Sequence, residues 1–122
     1  MILADTTLWI DYFRSGNAAM RKQLAEAQIA THPFIIAELS LGSLRERRKT
    51  LAYLEMLPQV QVAELGEVRR MVEAQALYSK GIGLTDAHLI ASTLITPSTM
   101  LWTQDKRLRS VADGLGIHVD LP

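Results

Sequence analysis

The chain has 122 residues and a mass of 13.6 kDa, which suits one compact domain and leaves no comfortable room for two. A hydrophobic fraction of 48% with 21% charged residues is ordinary for a globular protein and excludes a disordered chain. Thirteen Lys plus Arg balance thirteen Asp plus Glu, so any attraction for a polyanion must come from a local basic surface. The absence of cysteine excludes a disulfide framework, a thiolate zinc site and a cysteine nucleophile.

No apolar run approaches the roughly 20 residues that a membrane-spanning helix needs. The N-terminus also lacks the basic segment and long apolar run of a secretion signal. Together with the lack of cysteine, these features predict a cytoplasmic protein that does not associate with a membrane. We find no repeat, low-complexity stretch or linker, and therefore expect residues 1–122 to form a single domain.

Hydrophobic periodicity predicts alternating strands and helices along the first half of the chain. Asn17 is predicted to cap the second helix, and Pro33 stands where a helix favours proline. In chain order, the predicted elements are a strand at Met1 to Ala4, a helix over Thr6 to Phe13, a helix from Asn17 to Ala27, a strand at Ile29 and Ala30, and a helix over Phe34 to Leu41.

The second half continues the same alternation. Its predicted elements are a helix over Arg45 to Leu57, a strand at Val60 to Val62, a helix over Val68 to Gln75, a helix over Thr85 to Ile95 capped by Thr85, a strand at Met100 to Trp102, a helix over Lys106 to Ala112 and a strand at Ile117 to Val119. Strands separated by helices are typical of βαβ units. The sequence therefore predicts an α/β fold with a central parallel β-sheet flanked by helices on both faces.

Three aspartates stand at the boundaries of these elements. Asp5 follows the first strand, Asp105 follows the strand that ends at Trp102, and Asp86 lies at the start of the helix predicted from Thr85. Since the carboxyl ends of parallel strands share one edge of a sheet, Asp5 and Asp105 should meet there. Asp86 reaches the same edge if its helix starts there, and Glu38 does so if the first turns of its helix lean over that edge.

Each acid also has a purely structural interpretation. An aspartate at a helix start can accept hydrogen bonds from free backbone N–H groups and stabilise the helix by about 0.5 to 2 kcal/mol. Glu38 fits this interpretation less well, because its neighbours one turn away are apolar and no basic residue lies within one turn, so its carboxylate needs a partner.

Several carboxylates that converge without a cation repel one another, and a divalent cation removes that repulsion. Hard ions such as Mg²⁺ or Mn²⁺ prefer oxygen ligands, so the sequence predicts an ion held by Asp5, Glu38, Asp86 and Asp105. Such an ion assists the hydrolysis of phosphodiester bonds. Thr6 and Thr103 could hold a water or orient one of the carboxylates. The three histidines show no paired metal-ligand spacing, and we expect His32 and His118 to be structural. His88 lies two residues after Asp86 and could flank the site, but we favour an exposed position on its helix.

The ordered set of motifs resembles the PIN-domain nucleases, and more narrowly the VapC toxins of bacterial toxin-antitoxin pairs. The resemblance lies in the opening residues 2–10 (ILADTTLWI), the helix of Glu38, residues 84–91 (LTDAHLIA) and residues 101–105 (LWTQD), and it covers essentially the whole chain. No single motif is specific, but their order and separation are.

The resemblance implies a Mg²⁺- or Mn²⁺-dependent endoribonuclease, a homodimer or a larger hetero-oligomer with a VapB-type antitoxin, and inhibition by that antitoxin. It assigns the family's four acids to Asp5, Glu38, Asp86 and Asp105, and its hydroxyl positions to Thr6 and Thr103. One position departs from the pattern, because many relatives carry a further acid where this chain has Arg107. Arg107 therefore argues against a second, fully protein-ligated metal ion.

A nuclease must also bind a polyanion. Lys106, Arg107 and Arg109 follow Asp105 directly and are the predicted RNA-binding residues, with a solvated helix face as the alternative.

Two rival functions stay open. One is a catalytically weak PIN-like module that binds RNA or protein, and the other is a phosphoacceptor receiver domain, which would need an acid adjacent to Asp5.

Overall fold

The computed structural model describes residues 1–122 as a three-stranded sheet with seven helices. The strands are β1 (Ile2–Ala4), β2 (Ile29–Ala30) and β3 (Met100–Trp102). The helices are α1 (Thr6–Ser15), α2 (Ala18–Ala25), α3 (Pro33–Ser40), α4 (Arg47–Met56), α5 (Leu65–Ala74), α6 (Leu84–Ile95) and α7 (Lys106–Gly114). This arrangement confirms the predicted α/β class.

The sheet is parallel, with β1 in the middle of the order β2-β1-β3. Ile2 pairs with Ile29 on one side and with Met100 on the other. Successive side chains of a strand point to opposite faces, and all three residues of β1 are buried. Both faces of the central strand are therefore covered, which is why it consists entirely of apolar residues.

The two outermost predicted strands do not form, and a single β-bridge lies in or next to each of the predicted segments. Gln59 bridges Thr31, but beyond Val60 the backbone bonds to side chains at the end of α6 instead. The Gln61 N–H lies 2.9 Å from Oγ1 of Thr96, the C-cap of α6, and the Ala63 N–H lies 3.1 Å from Ser92 Oγ. The strand predicted at Val60 to Val62 is therefore wrong. The segment predicted at Ile117 to Val119 likewise pairs with Leu101 at one bridge only, through His118.

Two predicted helix starts also need correction. The helix predicted from Arg45 begins at Arg47, because Glu46 adopts a left-handed backbone conformation with φ of 46°. The predicted cap Thr85 lies inside α6, whose N-cap is Gly83. The cap predicted at Asn17 is confirmed, since its side chain accepts a hydrogen bond from the Met20 N–H at 2.9 Å. The longest helix has 12 residues, and none is long and apolar enough to cross a membrane.

The parallel sheet brings residues from opposite ends of the chain to one edge. The register pairs Ala4 with Trp102, and the Asp5 N–H extends this pairing by donating to the Trp102 carbonyl at 3.0 Å. Asp5 and Thr103, the next residues after these two strands, therefore emerge side by side. The register of β1 and β3 therefore places the ends of these two strands next to each other, as predicted.

Candidate functional site

Asp5 is the most buried of the four predicted acids, with 3% of its surface exposed. It caps α1, since its Oδ1 accepts from the Thr7 N–H at 3.0 Å and from the Leu8 N–H at 3.4 Å, and also from the Thr7 hydroxyl. Its Oδ2 accepts from the Thr103 hydroxyl. Burial raises the pKa of Asp5, although these hydrogen bonds favour the charged form. Both the capping role and the sheet-edge placement therefore hold for this residue.

Thr103 links Asp5 to Asp105. Its hydroxyl donates to Asp5 Oδ2 and accepts from the Asp105 N–H at 3.0 Å. Asp105 caps α7, because its Oδ1 accepts from the Leu108 N–H at 2.9 Å, and its side chain is otherwise exposed. Thr103 thus contacts the carboxylate of Asp5 and the backbone of Asp105, and its orienting role stays a prediction.

Glu38 and Asp86 approach the same region from α3 and α6. Burial raises the pKa of Glu38, and the negative charges of Asp86 and Asp5 raise it further. Burial also raises the pKa of Asp86; the Gly83 N–H, 3.4 Å from Oδ2, opposes this rise and the charge of Asp105 adds to it. The four acids therefore share one electrostatic environment, as each interacts with at least one other. Glu38 itself is exposed.

None of these four acids has a cationic partner. The salt bridges of the chain are Lys49 with Glu46 and Arg109 with Asp113, both on the surface. No group of three acidic or histidine side chains is close enough to bind one ion together. The donor set nevertheless fits a hard divalent cation, which takes one or two carboxylates and keeps several waters. The uncompensated charge and the oxygen-only donors are the observations that support this fit.

The hydroxyl next to Asp5 belongs to Thr7 rather than to Thr6. Thr7 Oγ1 donates to Asp5 Oδ1 and accepts from the Gln104 N–H at 3.0 Å. Thr6 contacts no acid through a hydrogen bond and lines a neighbouring cleft instead. Sequence reasoning missed Thr7, although the spacing of a capping aspartate and a hydroxyl residue two positions later could have indicated it.

The cleft lies beside the acids and has a volume of about 800 Å³. Thr6 and Glu38 line it, together with Phe13, Arg14 and Arg45. Neither arginine forms a salt bridge. A separate surface depression is formed by α5 alone and contains none of the predicted site residues.

The three predicted RNA-binding residues differ in their surroundings. Lys106 and Arg107 are exposed and form no ion pair. The Arg107 side chain lies against Gly81, at the turn that leads into α6. Arg109 instead donates to the Leu121 carbonyl at 3.1 Å and lies 3.7 Å from Asp113. Its guanidinium is therefore engaged within its own subunit.

The histidines are all buried, so the expectation of an exposed His88 is wrong. His88 packs on Phe34 with ring centroids 4.6 Å apart, and its Nδ1 has no hydrogen-bond partner. His32 caps α3, with Nδ1 accepting from the Phe34 N–H at 2.9 Å. Burial, together with the nearby His88, lowers the pKa of His32 from 6.5 to about 4. His118 contacts Thr103, a connection that no sequence spacing indicated.

A short parallel sheet with acids at its carboxyl edge is the arrangement expected of PIN-domain proteins, and the sequence profile of the PIN domain matches residues 2–114. The chain belongs to the PIN-domain family. It is also 37% identical over 117 residues to Ribonuclease VapC32 of Mycobacterium tuberculosis strain CDC 1551 / Oshkosh, covering 96% of this chain and 94% of that protein. Ribonuclease VapC32 of strain ATCC 25618 / H37Rv gives the same identity and coverage. These matches confirm the resemblance stated from the motifs and leave the receiver-domain alternative without support.

Proposed function

We propose that this protein is a Mg²⁺- or Mn²⁺-dependent endoribonuclease, the toxin of a VapBC-like toxin-antitoxin pair, acting on RNA in the cytoplasm. The observation that carries the proposal is the group of four acids, Asp5, Glu38, Asp86 and Asp105, which interact electrostatically at one edge of the sheet and have no cationic partner. Similarity to Ribonuclease VapC32 over nearly the whole chain supports the same activity.

One or two of these four carboxylates would bind the ion directly, since no three of them lie close enough to do so together, and the others would act through its waters. When bound there, a divalent ion would supply activation of the attacking water and stabilisation of the charge on the phosphate and leaving oxygens. Asp5 is fixed in place by Thr7 and Thr103, so its orientation is set before any ligand arrives. Glu38 is exposed and its raised pKa suits its carboxylate to take a proton from an attacking water.

RNA would reach the acids between two basic groups. Arg14 and Arg45 lie in the cleft that Glu38 borders, and Lys106 and Arg107 follow Asp105 in the chain. Because none of the four is paired with a carboxylate, each can bind a phosphate without breaking an existing ion pair. Arg109 does not belong to this basic surface, since its guanidinium already donates to the Leu121 carbonyl.

The decisive experiment is Asp5→Asn. Asparagine keeps an oxygen that can accept from the backbone of α1 but removes the negative charge, so the fold should survive while RNA cleavage in Mn²⁺ falls by about 10²-fold or more. Asp120→Asn is the matched control, because Asp120 is exposed and makes no salt bridge. Cleavage that is unchanged in Asp5→Asn would reject the assignment.

The alternative is a catalytically weak PIN-like module that binds RNA or a protein. This alternative predicts that the wild type binds RNA without metal and does not cleave it. A binding assay in EDTA, run beside the cleavage assay, therefore separates the two functions.

For the partners, we propose a homodimer and a complex with a VapB-type antitoxin. Light scattering of the pure protein measures the first, and co-purification with the product of the adjacent small open reading frame tests the second.

A further inference from the structure

His118 lies in the C-terminal segment that follows α7. Only 8% of its surface is exposed, and it forms the single bridge that joins this segment to Leu101 of β3. The bridge is closed on both sides by backbone bonds, from the Leu101 N–H to the Ile117 carbonyl at 2.8 Å and from the Val119 N–H to the Leu101 carbonyl at 2.9 Å. The imidazole is thereby held next to the end of β3, where Thr103 begins the acid site.

The partners of the two ring nitrogens define one tautomer. Nδ1 lies 2.6 Å from the Val119 carbonyl oxygen, which can only accept, so Nδ1 carries the hydrogen. Nε2 lies 3.1 Å from the Thr103 backbone nitrogen and 3.3 Å from the Thr103 carbonyl oxygen. In the shorter of these two contacts the Thr103 N–H donates to the free lone pair of Nε2. The neutral imidazole therefore satisfies both contacts at once, and the Nδ1–H bond to Val119 fixes the orientation of the ring.

Thr103 passes this orientation on to two acids. Its amide is held by His118, while its hydroxyl donates to Asp5 Oδ2 and accepts from the Asp105 N–H at 3.0 Å. Thr103 is fully buried, so no solvent can replace the ring as the acceptor of its amide. A shift of the Thr103 backbone would misplace its hydroxyl for both acids.

We propose that His118 is a positioning residue for the acid site: its Nε2 fixes the Thr103 backbone so that one hydroxyl holds both Asp5 and Asp105. As far as metal binding is concerned, this inference rests on the function proposed above. Residues that orient metal ligands through hydrogen bonds contribute about 10- to 100-fold to metal affinity or activity. His118 itself makes no hydrogen bond to Asp5 or Asp105, so it acts on them only through Thr103.

The test compares His118→Leu, which removes the acceptor, with His118→Gln, which restores an acceptor oxygen and a donor. The control is Ile117→Ala, which removes core packing from the same segment while leaving the imidazole and its backbone partners. The first readout is amide hydrogen exchange of Thr103 and Asp105 in the metal-free protein, measured by NMR and compared with the exchange of α6. The second is the Mn²⁺ dissociation constant from calorimetry, beside the Mn²⁺ concentration for half-maximal RNA cleavage.

We expect His118→Leu to speed exchange of these two amides by about tenfold relative to α6 and to weaken Mn²⁺ binding by about 10- to 100-fold. His118→Gln should recover most of both losses, and Ile117→Ala should lower the melting temperature without either effect. Unchanged exchange in His118→Leu, or equal losses in Ile117→Ala, would overturn the positioning role. If the wild type neither binds Mn²⁺ nor cleaves RNA, the proposed function fails, but the exchange comparison still decides the role of His118.

Discussion

Thr103→Val removes the hydroxyl that joins the two strand-end acids and retains the shape of the side chain. The lost interactions are one hydrogen bond to the Asp5 carboxylate and one from the Asp105 N–H at 3.0 Å, both next to a fully buried residue. A hydrogen bond to a charged group contributes about 1.5 to 3 kcal/mol, so we expect the free energy of unfolding to fall by about 2 to 3 kcal/mol. At about 2.1 cal/mol/K per residue, a chain of 122 residues loses about 4 °C of melting temperature per kcal/mol, hence about 8 to 12 °C.

Urea and thermal unfolding followed by circular dichroism in EDTA measure this loss without any contribution from bound metal. Thr93→Val is the matched control, because Thr93 is also buried but its hydroxyl only donates to the Leu89 carbonyl within α6, at 2.7 Å. The control should lose less than about 1 kcal/mol. If Thr103→Val loses no more than Thr93→Val, the hydroxyl does not hold the acids as described, and the reasoning fails.

Three further changes test the electrostatics and the basic surface. Burial raises the pKa of Asp5 above its unfolded value of 3.8, so the metal-free protein binds more protons when folded and loses stability as the pH rises from 3.8 through the folded pKa. The stability of Asp5→Asn relative to the wild type should therefore increase over that rise in pH in urea titrations, and a constant difference would contradict this sign. The pKa of His32 is lowered to about 4, so its contribution to the free energy of unfolding is lost as the pH falls from 6.5 to about 4. His32→Asn keeps a capping acceptor and should lose less stability than the wild type over that range. Parallel plots of stability against pH for the two proteins would disprove this prediction. Gly81→Ala should lower the free energy of unfolding by about 1 kcal/mol, because φ is +79° at this position. The new Cβ would also lie 2.9 Å from Arg107 Cδ and displace that side chain, so we expect both Gly81→Ala and Arg107→Ala to weaken RNA binding. Unaffected RNA binding in a filter assay would show that Arg107 does not contact the RNA.

The strands and helices near the site were predictable because their signals are local. Asn17 caps its helix as its residue type indicates, and the apolar run Ile2 to Ala4 forms the central strand because both of its faces are covered. The failures lie where the backbone finds partners from distant segments. The segment after Val60 could not be recognised as non-strand, since its N–H groups bond to side chains of α6 that lie about 30 residues further along the chain.

The same distinction applies within the site. The positions of Asp5 and Asp105 at strand ends follow from the order of the elements, because parallel strands align their carboxyl ends. That Thr7 rather than Thr6 contacts Asp5 depends on the first turn of α1, and the partners of Glu38 depend on how α3 packs. The spacing of residues along the sequence does not determine the orientation of either helix.

The sequence by itself determined which acids could gather, since residue type, order and hydrophobic period already define a parallel sheet with carboxylates at its edge. Only the tertiary structure decided which side chains orient them. His118 and Thr103 are 15 residues apart and Thr103 and Asp5 are 98 apart, so their contacts arise when three segments pack together. A hydrogen bond requires its atoms within about 3 Å, and the distance between two residues that are far apart in the chain is set by packing rather than by local propensity.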